Sequence, residues 1–293
     1  MAIDIILPQE EQREERVEIN IQSLLESGAH FGSKKSDWHP KSAGFIYGIR
    51  NDIYIINLET TLECWNRAKV AVSELIARGG KILLVGTKDK VRDELVKVAE
   101  KTTSFYVTSR WLGGTLTNLD TLKKSVIKLK KLENLVQQAE ASESNIILTK
   151  KEILDIKKEV YKLNRFFGGL REMNKLPDLV FITDVTRDHL ALIEARRLGI
   201  PVVAIVDTNS DPSTVTYPIP ANDDAVSTQI LFLRGMRDVI LEGLKERAEA
   251  ELIQSKLKEE TLKQAEERII QVVVEPPAVV EKVKSEIPVT YRK

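Results

Sequence analysis

Short apolar runs that alternate with helical segments constrain this chain more than any other feature of its sequence. The four runs are Lys81–Gly86, Phe105–Thr108, Leu179–Asp184 and Val202–Asp207. Each is bounded by turn or polar residues, as expected of a strand that is buried on both faces. Helical segments at 89–100 and 188–198 join the first run to the second and the third to the fourth. This order predicts right-handed crossovers and a parallel sheet covered by helices.

The segment 119–167 interrupts the alternation, because it contains two helical patterns and no strand. In its second half, steps of 3 and 4 residues give the spacing of a coiled-coil seam, formed by Ile153, Ile156, Val160, Leu163 and Phe167. A similar stripe with one extra step of three fills the first half, and polar residues 137–145 separate the halves. We therefore predict an α/β fold with a parallel sheet flanked by helices (doubly wound, flavodoxin-like) and an inserted antiparallel coiled-coil helical hairpin.

The remaining elements and the domain boundaries follow from the same patterns. A short helix is predicted over 21–27, then a Gly- and Lys-rich loop, a strand pair within 45–57 that turns at Asn51-Asp52, and a helix over 58–78. A last helix is predicted from Asp224 to about Glu246. The predicted domains are an acidic N-terminal extension at 1–22, an α/β domain at 23–245 interrupted by the hairpin at 117–168, and a charged helix with a flexible C-terminal tail at 246–293.

Charge and cysteine content narrow the class of protein. The 44 basic and 44 acidic residues give zero net charge, so only their distribution can indicate a polyanionic partner. The single cysteine, Cys64, allows neither an internal disulfide nor a thiolate metal cluster. The chain also lacks the long apolar window of a spanning helix and the basic start of a signal peptide. We therefore do not expect a secreted disulfide scaffold or a membrane protein.

Positive charge is concentrated in the predicted hairpin. The run Thr121–Lys131 contains five lysines and no acid, whereas the first 20 residues hold six acids and two arginines. Such a run is either a solvated helix face or an arm that contacts phosphates. The sequence leaves both interpretations open.

Fingerprints of catalysis or of a nucleotide cofactor are missing from the sequence. Gly86-Thr87-Lys88 follows a predicted strand but lacks the first glycine and the spacing of a phosphate-binding loop. There is no Gly-x-Gly-x-x-Gly motif, and no two histidines have the i, i+4 spacing of a helical zinc site. We predict no cofactor.

Asp184 and Asp207 end successive predicted strands, where open α/β sheets commonly place ligands. They could bind a cation or pair with His30, although Asp207 equally suits a turn or helix-capping role. With Lys88 they could instead surround a phosphorylated metabolite, which would make the chain an enzyme. A third alternative is an adaptor that binds protein alone through the hairpin.

Several phrases of the sequence resemble one known family, and they occur in that family's order. They are Leu-Leu-Glu-Ser-Gly-Ala-His-Phe-Gly at 24–32, Val-Gly-Thr-Lys at 85–88, Arg-Trp-Leu-Gly-Gly-Thr-Leu-Thr-Asn at 110–118, Val-Asp-Thr-Asn-Ser-Asp-Pro at 206–212 and Ile-Pro-Ala-Asn-Asp-Asp at 219–224. Together they resemble ribosomal small-subunit protein two of the bacterial type, from Leu24 to Gly243.

The resemblance implies a parallel α/β domain with a helical hairpin, a structural role between the head and body of the small ribosomal subunit, and no catalytic activity. As partners it implies small-subunit rRNA and neighbouring ribosomal proteins, including, in bacteria, the large mRNA-binding protein one, whose docking the family supports. No membrane and no small-molecule substrate are implied. The expected location is the cytoplasmic ribosome of a bacterium, with an organellar ribosome as the alternative.

With this resemblance, the basic residues of the N-terminal loop, the hairpin and its two ends become candidate RNA contacts. They are Lys34, Lys35, Lys41, Arg50, Arg110, Lys123, Lys124, Lys128, Lys130, Lys131 and Arg171. Trp111 could stack on a base, but we expect a buried or hinge role, because a buried indole commonly fixes such a turn. The candidate metal ligands are His30, Asp184 and Asp207.

The sequence departs from the family pattern at a few positions. Ser33 stands where the family usually has a second histidine, which weakens any metal site built from two imidazoles. Asp37 offsets one of the two lysines in the loop 33–37. Ala221 replaces a common glycine, which indicates either that this position does not need a positive φ or that some strain is tolerated there.

Overall fold

The structure, a computed structural model, describes residues 16–140 and 149–274. In chain order its elements are α1 (Ile21–Glu26), β1 (Phe31–Lys34), β2 (Ile46–Arg50), β3 (Ile53–Ile56), α2 (Leu58–Ala77), β4 (Ile82–Val85), α3 (Asp89–Thr102), β5 (Phe105–Val107), α4 (Leu119–Glu140), α5 (Lys150–Phe167), β6 (Leu179–Ile182), α6 (His189–Arg197), β7 (Val202–Val206), β8 (Tyr217–Pro220) and α7 (Val226–Val274). Most of the acidic extension, much of the predicted hairpin turn and the tail from 275 lie outside the described residues.

The main sheet has five parallel strands in the order β5-β4-β6-β7-β8. Numbered from β4, this is the 2-1-3-4-5 order of flavodoxin-like folds, so the predicted doubly wound α/β fold with a parallel sheet is confirmed. Strand β5 lies on one side of β4, whereas β6, β7 and β8 follow on its other side, so the switch point lies between β4 and β6. Ligands commonly bind at the carboxyl edge of such a sheet, close to this switch point.

Two hydrophobic cores cover the two faces of this sheet. Successive strand residues point to opposite faces, so Ile82 and Leu84 enter one core whereas Leu83 and Val85 enter the other. Residues of α2, α3 and α7 complete the first core, and residues of α4 and α6 complete the second. Because all four side chains of β4 are buried, this strand is a continuous apolar run in the sequence.

Two strands were not predicted. The segment Phe31–Lys34, predicted as a loop, is β1 and pairs with β3. The segment Tyr217–Pro220 forms β8, although two of its four residues are prolines. A proline is tolerated in an edge strand, because the missing N–H is not needed on the unpaired side. The two prolines explain why β8, an edge strand of the main sheet, was not predicted from the sequence.

A separate three-stranded antiparallel sheet, in the order β1-β3-β2, precedes the main one. Its predicted turn at Asn51-Asp52 is confirmed, with φ of 50° and 59° at the two residues. Positive φ at both central residues matches the twist of a two-residue hairpin. This sheet contacts the loop after β7, since the Ser33 N–H donates to Thr208 Oγ1 at 2.8 Å.

Helices α4 and α5 contact each other and are joined by ion pairs. Lys128 Nζ lies 2.5 Å from Glu159, and Lys157 Nζ lies 2.5 Å from Glu140. Thr149 and Glu152 form a capping box at the start of α5. The predicted supercoil between the two helices stays a prediction.

The chain divides into two compact units, one up to Lys245 and one from Glu246 onward. Helix α7 begins at Val226, two residues later than predicted, and continues to Val274. Among the described residues, no helix is long and apolar enough to cross a membrane.

Candidate RNA interface and the polar cluster at the sheet edge

The carboxyl edge of the main sheet carries a cluster of acids around one lysine. Lys88 Nζ lies 2.8 Å from Asp184 and 3.1 Å from Asp224, and it donates to the backbone oxygen of Asp223 at 2.5 Å. The side chains of Lys88 and Asp184 are only 16% and 7% exposed. With Asp207 at the end of β7, these residues form what we call the carboxyl-edge cluster. One cation therefore faces several carboxyl groups in a partly dry environment.

Burial sets the protonation of this cluster. It raises the pKa of Asp223 to about 8, with the charges of Asp184 and Asp207 acting in the same direction. Burial also raises the pKa of Asp207 to about 6. For Lys88 burial alone lowers the pKa, but the hydrogen bond and charge of Asp184 outweigh it, and the pKa is raised. The cluster thus keeps a charged lysine and disfavours a further carboxylate.

A second polar group lies beside the switch point. Thr87 Oγ1 donates to Asp188 at 2.9 Å, and Arg187 Nε donates to the same hydroxyl at 3.0 Å. Burial raises the pKa of Asp188 to about 6. These bonds fix the loops after β4 and β6 to each other.

The three candidate metal ligands have different surroundings in the structure. Across residues 16–140 and 149–274, no group of three or more His, Cys, Asp or Glu side chains is placed to hold a metal ion. Asp184 pairs with Lys88, and the Asp207 carboxylate accepts from the Thr208 N–H at 2.6 Å. His30 Nδ1 is buried and has no hydrogen-bond partner in the part of the chain that the structure describes. Ser33, at the position of the family's second histidine, is 2.5 Å from the Thr208 hydroxyl.

The candidate RNA contacts of the N-terminal sheet lie mostly in solvent. Lys34 and Arg50 both pair in register with Ile53 of the central strand, so their side chains share one face of the sheet. Both are exposed, as is Lys35. Lys41 is bound within the protein, since its Nζ lies 2.7 Å from Asp211 and 2.8 Å from Ser213 Oγ.

The hairpin cations fall into two groups. Three form ion pairs: Lys128 with Glu159, Lys130 with Glu172 at 3.5 Å, and Arg171 with Glu133. Lys124 and Lys131 are exposed and form no ion pair with any described residue, whereas Lys123 is partly buried. The lysine run is therefore not a uniform patch of free charge, because Lys128 and Lys130 pair with acids of α5 and of the segment that follows it.

Arg110 is exposed at the start of the loop 110–118, and a buried carboxylate fixes this loop. Glu194 of α6 accepts hydrogen bonds from Trp111 Nε1, from the Gly114, Leu116 and Thr117 N–H groups, and from Thr117 Oγ1, at 2.8–3.1 Å. Burial alone would raise the pKa of Glu194, but these hydrogen bonds outweigh it and the pKa is lowered. Trp111 is buried, as predicted. Sequence patterns missed Glu194, since its burial shows only once α6 packs on the loop.

With this geometry established, comparison with known proteins identifies the family. Residues 24–243 match the family model described as ribosomal protein S2. This chain belongs to the ribosomal protein S2 family. The matched span agrees with the span of the resemblance seen in the sequence. A member of the S2 family is a structural component of the ribosome and not an enzyme, so the family does not support the metabolite site proposed around Lys88.

Relatives of this S2-family chain include three that carry the name small ribosomal subunit protein uS2. The one from Rhodopseudomonas palustris (strain TIE-1) is 43% identical over 227 residues, which cover 78% of this chain and 67% of the relative. The one from Thermobifida fusca (strain YX) is 46% identical over 226 residues, 77% of this chain and 76% of the relative. The one from Rickettsia akari (strain Hartford) is 44% identical over 232 residues, 79% and 78% of the two chains.

Proposed function

We propose that this chain is a structural constituent of the small ribosomal subunit that binds small-subunit rRNA and neighbouring ribosomal proteins between head and body. It supports subunit assembly and translation, and in a bacterium it helps to dock the mRNA-binding protein one. Membership of the S2 family and the similarity to proteins named small ribosomal subunit protein uS2 support this assignment. The location we propose is the cytoplasmic ribosome of a bacterium, with an organellar ribosome as the alternative.

The observation that carries RNA binding is a set of exposed cations that are not used inside the protein. Six of the eleven candidate residues are exposed and form no ion pair within the described parts of the chain. They are Lys34, Lys35, Arg50, Arg110, Lys124 and Lys131. A solvated cation that is free to meet a phosphate releases counterions on binding, which is the main source of affinity for nucleic acid.

We also propose that different segments of the chain bind different partners. The α/β domain at 23–245 binds the subunit, and the inserted helices within 117–168 extend its RNA contacts. The acidic extension at 1–22 and the acidic stretch at 241–275 face protein rather than RNA, because acidic stretches repel a polyanion.

Sucrose-gradient sedimentation of a cell lysate tests the assignment. The chain should migrate with small subunits at moderate salt and should move toward the top of the gradient when magnesium depletion unfolds the subunit. Confinement to the top of the gradient under both conditions would reject the ribosomal assignment. RNase-insensitive association with other proteins would favour the adaptor alternative.

Salt-dependent binding to protein-free small-subunit rRNA tests the cations themselves. A variant with Lys34, Lys35, Arg50 and Arg110 changed to glutamine should lose up to about 3 from the slope of log affinity against log salt, since each phosphate contact contributes roughly 0.7–0.9. The control variant changes four exposed lysines elsewhere to glutamine, namely Lys69, Lys90, Lys97 and Lys175. Equal slopes for the two variants would show that these four residues do not contact phosphate.

A further inference from the structure

One face of α5 carries a stripe of exposed cations and apolar side chains. In the sequence this stripe is less evident than the lysine run of α4, because its cations are spaced along the helix. Lys151, Leu154, Lys158, Tyr161 and Arg165 follow one another at steps of 3, 4, 3 and 4, so they lie along one side of the helix. Lys162 lies beside Lys158 on the same side. All six side chains are exposed, including Tyr161 at 75% and Leu154 at 58%.

This face lies opposite the seam of α5. The seam residues, from Ile153 to Phe167, are shifted from the stripe by about half a helical turn and are partly buried. Most of the stripe therefore lies outside the side through which α5 packs on α4, and Tyr161 borders the groove between the two helices, beside Val136 and Gln137. An exposed tyrosine and leucine set among cations also differ from an ordinary solvated helix face, which would be polar throughout.

Ion pairing leaves the stripe positively charged. Each acid of α5 already has a partner: Glu152 caps the helix start through Thr149, Glu159 pairs with Lys128 of α4, and Asp155 lies 3.1 Å from Lys158. The stripe itself holds four cations, and Asp155 at its border is the acid next to it. Lys158 is thus paired with Asp155, much as Lys128 and Lys130 of α4 pair with acids. The other three cations of the stripe, Lys151, Lys162 and Arg165, form no ion pair with any described residue.

We propose that the stripe Lys151, Leu154, Lys158, Tyr161, Lys162 and Arg165, here called the outer face of α5, is an rRNA-binding surface. The proposal rests on the function proposed above and names a contact surface outside the eleven candidate residues. Lys151, Lys158 and Arg165 recur every seven residues, or about 10.5 Å along the helix, and their charges meet successive parts of a phosphate backbone. The Tyr161 ring packs on a base or ribose between them.

The chemistry of this face favours RNA over protein as the occupant. Lysine is depleted in protein–protein interfaces, and a row of cations at helical spacing suits an extended polyanion. An aromatic side chain with a free face is the group that RNA-binding surfaces use to stack on unpaired bases.

The first test compares two full-length variants that carry the same change in charge. One changes Lys151, Lys158, Lys162 and Arg165 to glutamine, and the other is the Lys69, Lys90, Lys97 and Lys175 control. The probe is protein-free small-subunit rRNA over a series of salt concentrations. The outer-face variant should lose up to about 3 from the slope of log affinity against log salt, while the control keeps the wild-type slope. Circular dichroism should show unchanged helix content in both, because all the substituted side chains are exposed.

The second test separates stacking from charge. Tyr161→Ala should weaken rRNA binding by roughly 5- to 150-fold without changing the salt slope, because stacking on an aromatic ring contributes on that scale. Tyr161→Phe keeps the ring and should bind as the wild type does. Equal affinities of the alanine and phenylalanine variants would remove Tyr161 from the surface.

The outcomes distinguish this proposal from the broader one. If the wild-type chain binds rRNA and enters small subunits but the outer-face variant behaves as the control does, the outer face is not an RNA surface. If that variant keeps its rRNA affinity yet fails to enter subunits, the face binds protein and the proposal is overturned. If the wild-type chain binds no rRNA and is absent from subunits, the proposed function itself fails.

Discussion

Trp111 Nε1 donates a hydrogen bond of 3.0 Å to the buried carboxylate of Glu194, 83 residues further along the chain. The same carboxylate accepts three backbone N–H groups and one hydroxyl from residues 114–117. The loop between β5 and α4 is thus fixed to α6 by one side chain. This loop carries the exposed Arg110 and leads into α4, so Glu194 positions residues that we propose to contact RNA.

Removing this carboxylate should destabilise the fold strongly. Glu194→Ala leaves the buried indole N–H, the buried Leu116 N–H and two partly buried backbone N–H groups without this acceptor. Each fully buried group left unpaired costs about 1–3 kcal/mol. We expect a loss of at least about 3 kcal/mol in the free energy of unfolding, measured by urea denaturation. A loss below about 1 kcal/mol would mean that water replaces the carboxylate and that the hydrogen bonds of Glu194 contribute little to stability.

A smaller change isolates the indole. Trp111→Phe keeps an aromatic ring in the core but removes the donor to Glu194, while the other four hydrogen bonds to that carboxylate remain. The expected loss is about 1.5–3 kcal/mol, the usual contribution of a hydrogen bond to a charged group, plus a small packing cost. The double variant with Glu194→Ala should lose less than the sum of the single losses, since the two residues share one interaction. Additive losses would argue against coupling between them.

Asp223 should make stability depend on pH. Its pKa is raised from 3.8 in the unfolded chain to about 8 in the folded protein, so the folded protein holds a proton that the unfolded chain releases. Stability is therefore greatest below the unfolded pKa and falls as the pH rises toward 8, by at most about 1.4 kcal/mol per pH unit. Asp223→Asn, which has no charge to gain, should remove most of the fall between pH 6 and pH 8.

Asp188 and Asp207, whose raised pKa values are both about 6, also titrate in the lower part of this interval. Because they do so in both proteins, the difference between the wild type and Asp223→Asn reports on Asp223. Thermal unfolding of both proteins at the two pH values provides the measurement. A pH dependence that is the same in the wild type and in Asp223→Asn would show that Asp223 is ionised throughout this range.

Two glycines near the ends of the helical insertion should respond differently to alanine. A Cβ on Gly169 would meet the backbone oxygen and the ring of Tyr106, whereas a Cβ on Gly113 would meet no atom within 4 Å. Gly169→Ala should lower the free energy of unfolding by about 1–3 kcal/mol, because β5 must shift to admit the methyl group. Gly113→Ala, the matched control, should change it by less than about 0.5 kcal/mol. Similar losses at both positions would contradict this account.

The sequence identified candidate cations for the interface but not their partners in the fold. The lysine run was visible as composition, but ion pairing of Lys128 with Glu159 depends on residues that are 31 positions apart. The outer face of α5 was overlooked because its cations are spaced along a helix instead of forming a run. Asp184 and Lys88 were grouped from their places after two strands, but as ligands of a metabolite, and their ion pair with each other became visible only in the structure.

What the sequence determined by itself was local and periodic. Continuous apolar runs such as 82–85 specified buried parallel strands, the Asn51-Asp52 turn specified a hairpin, and steps of 3 and 4 specified the helices of the insertion. Only the tertiary structure decided which polar groups are buried and which cations remain free. Glu194 and Asp223 acquire their properties from desolvation by distant segments, and such contacts leave no periodic trace in the chain.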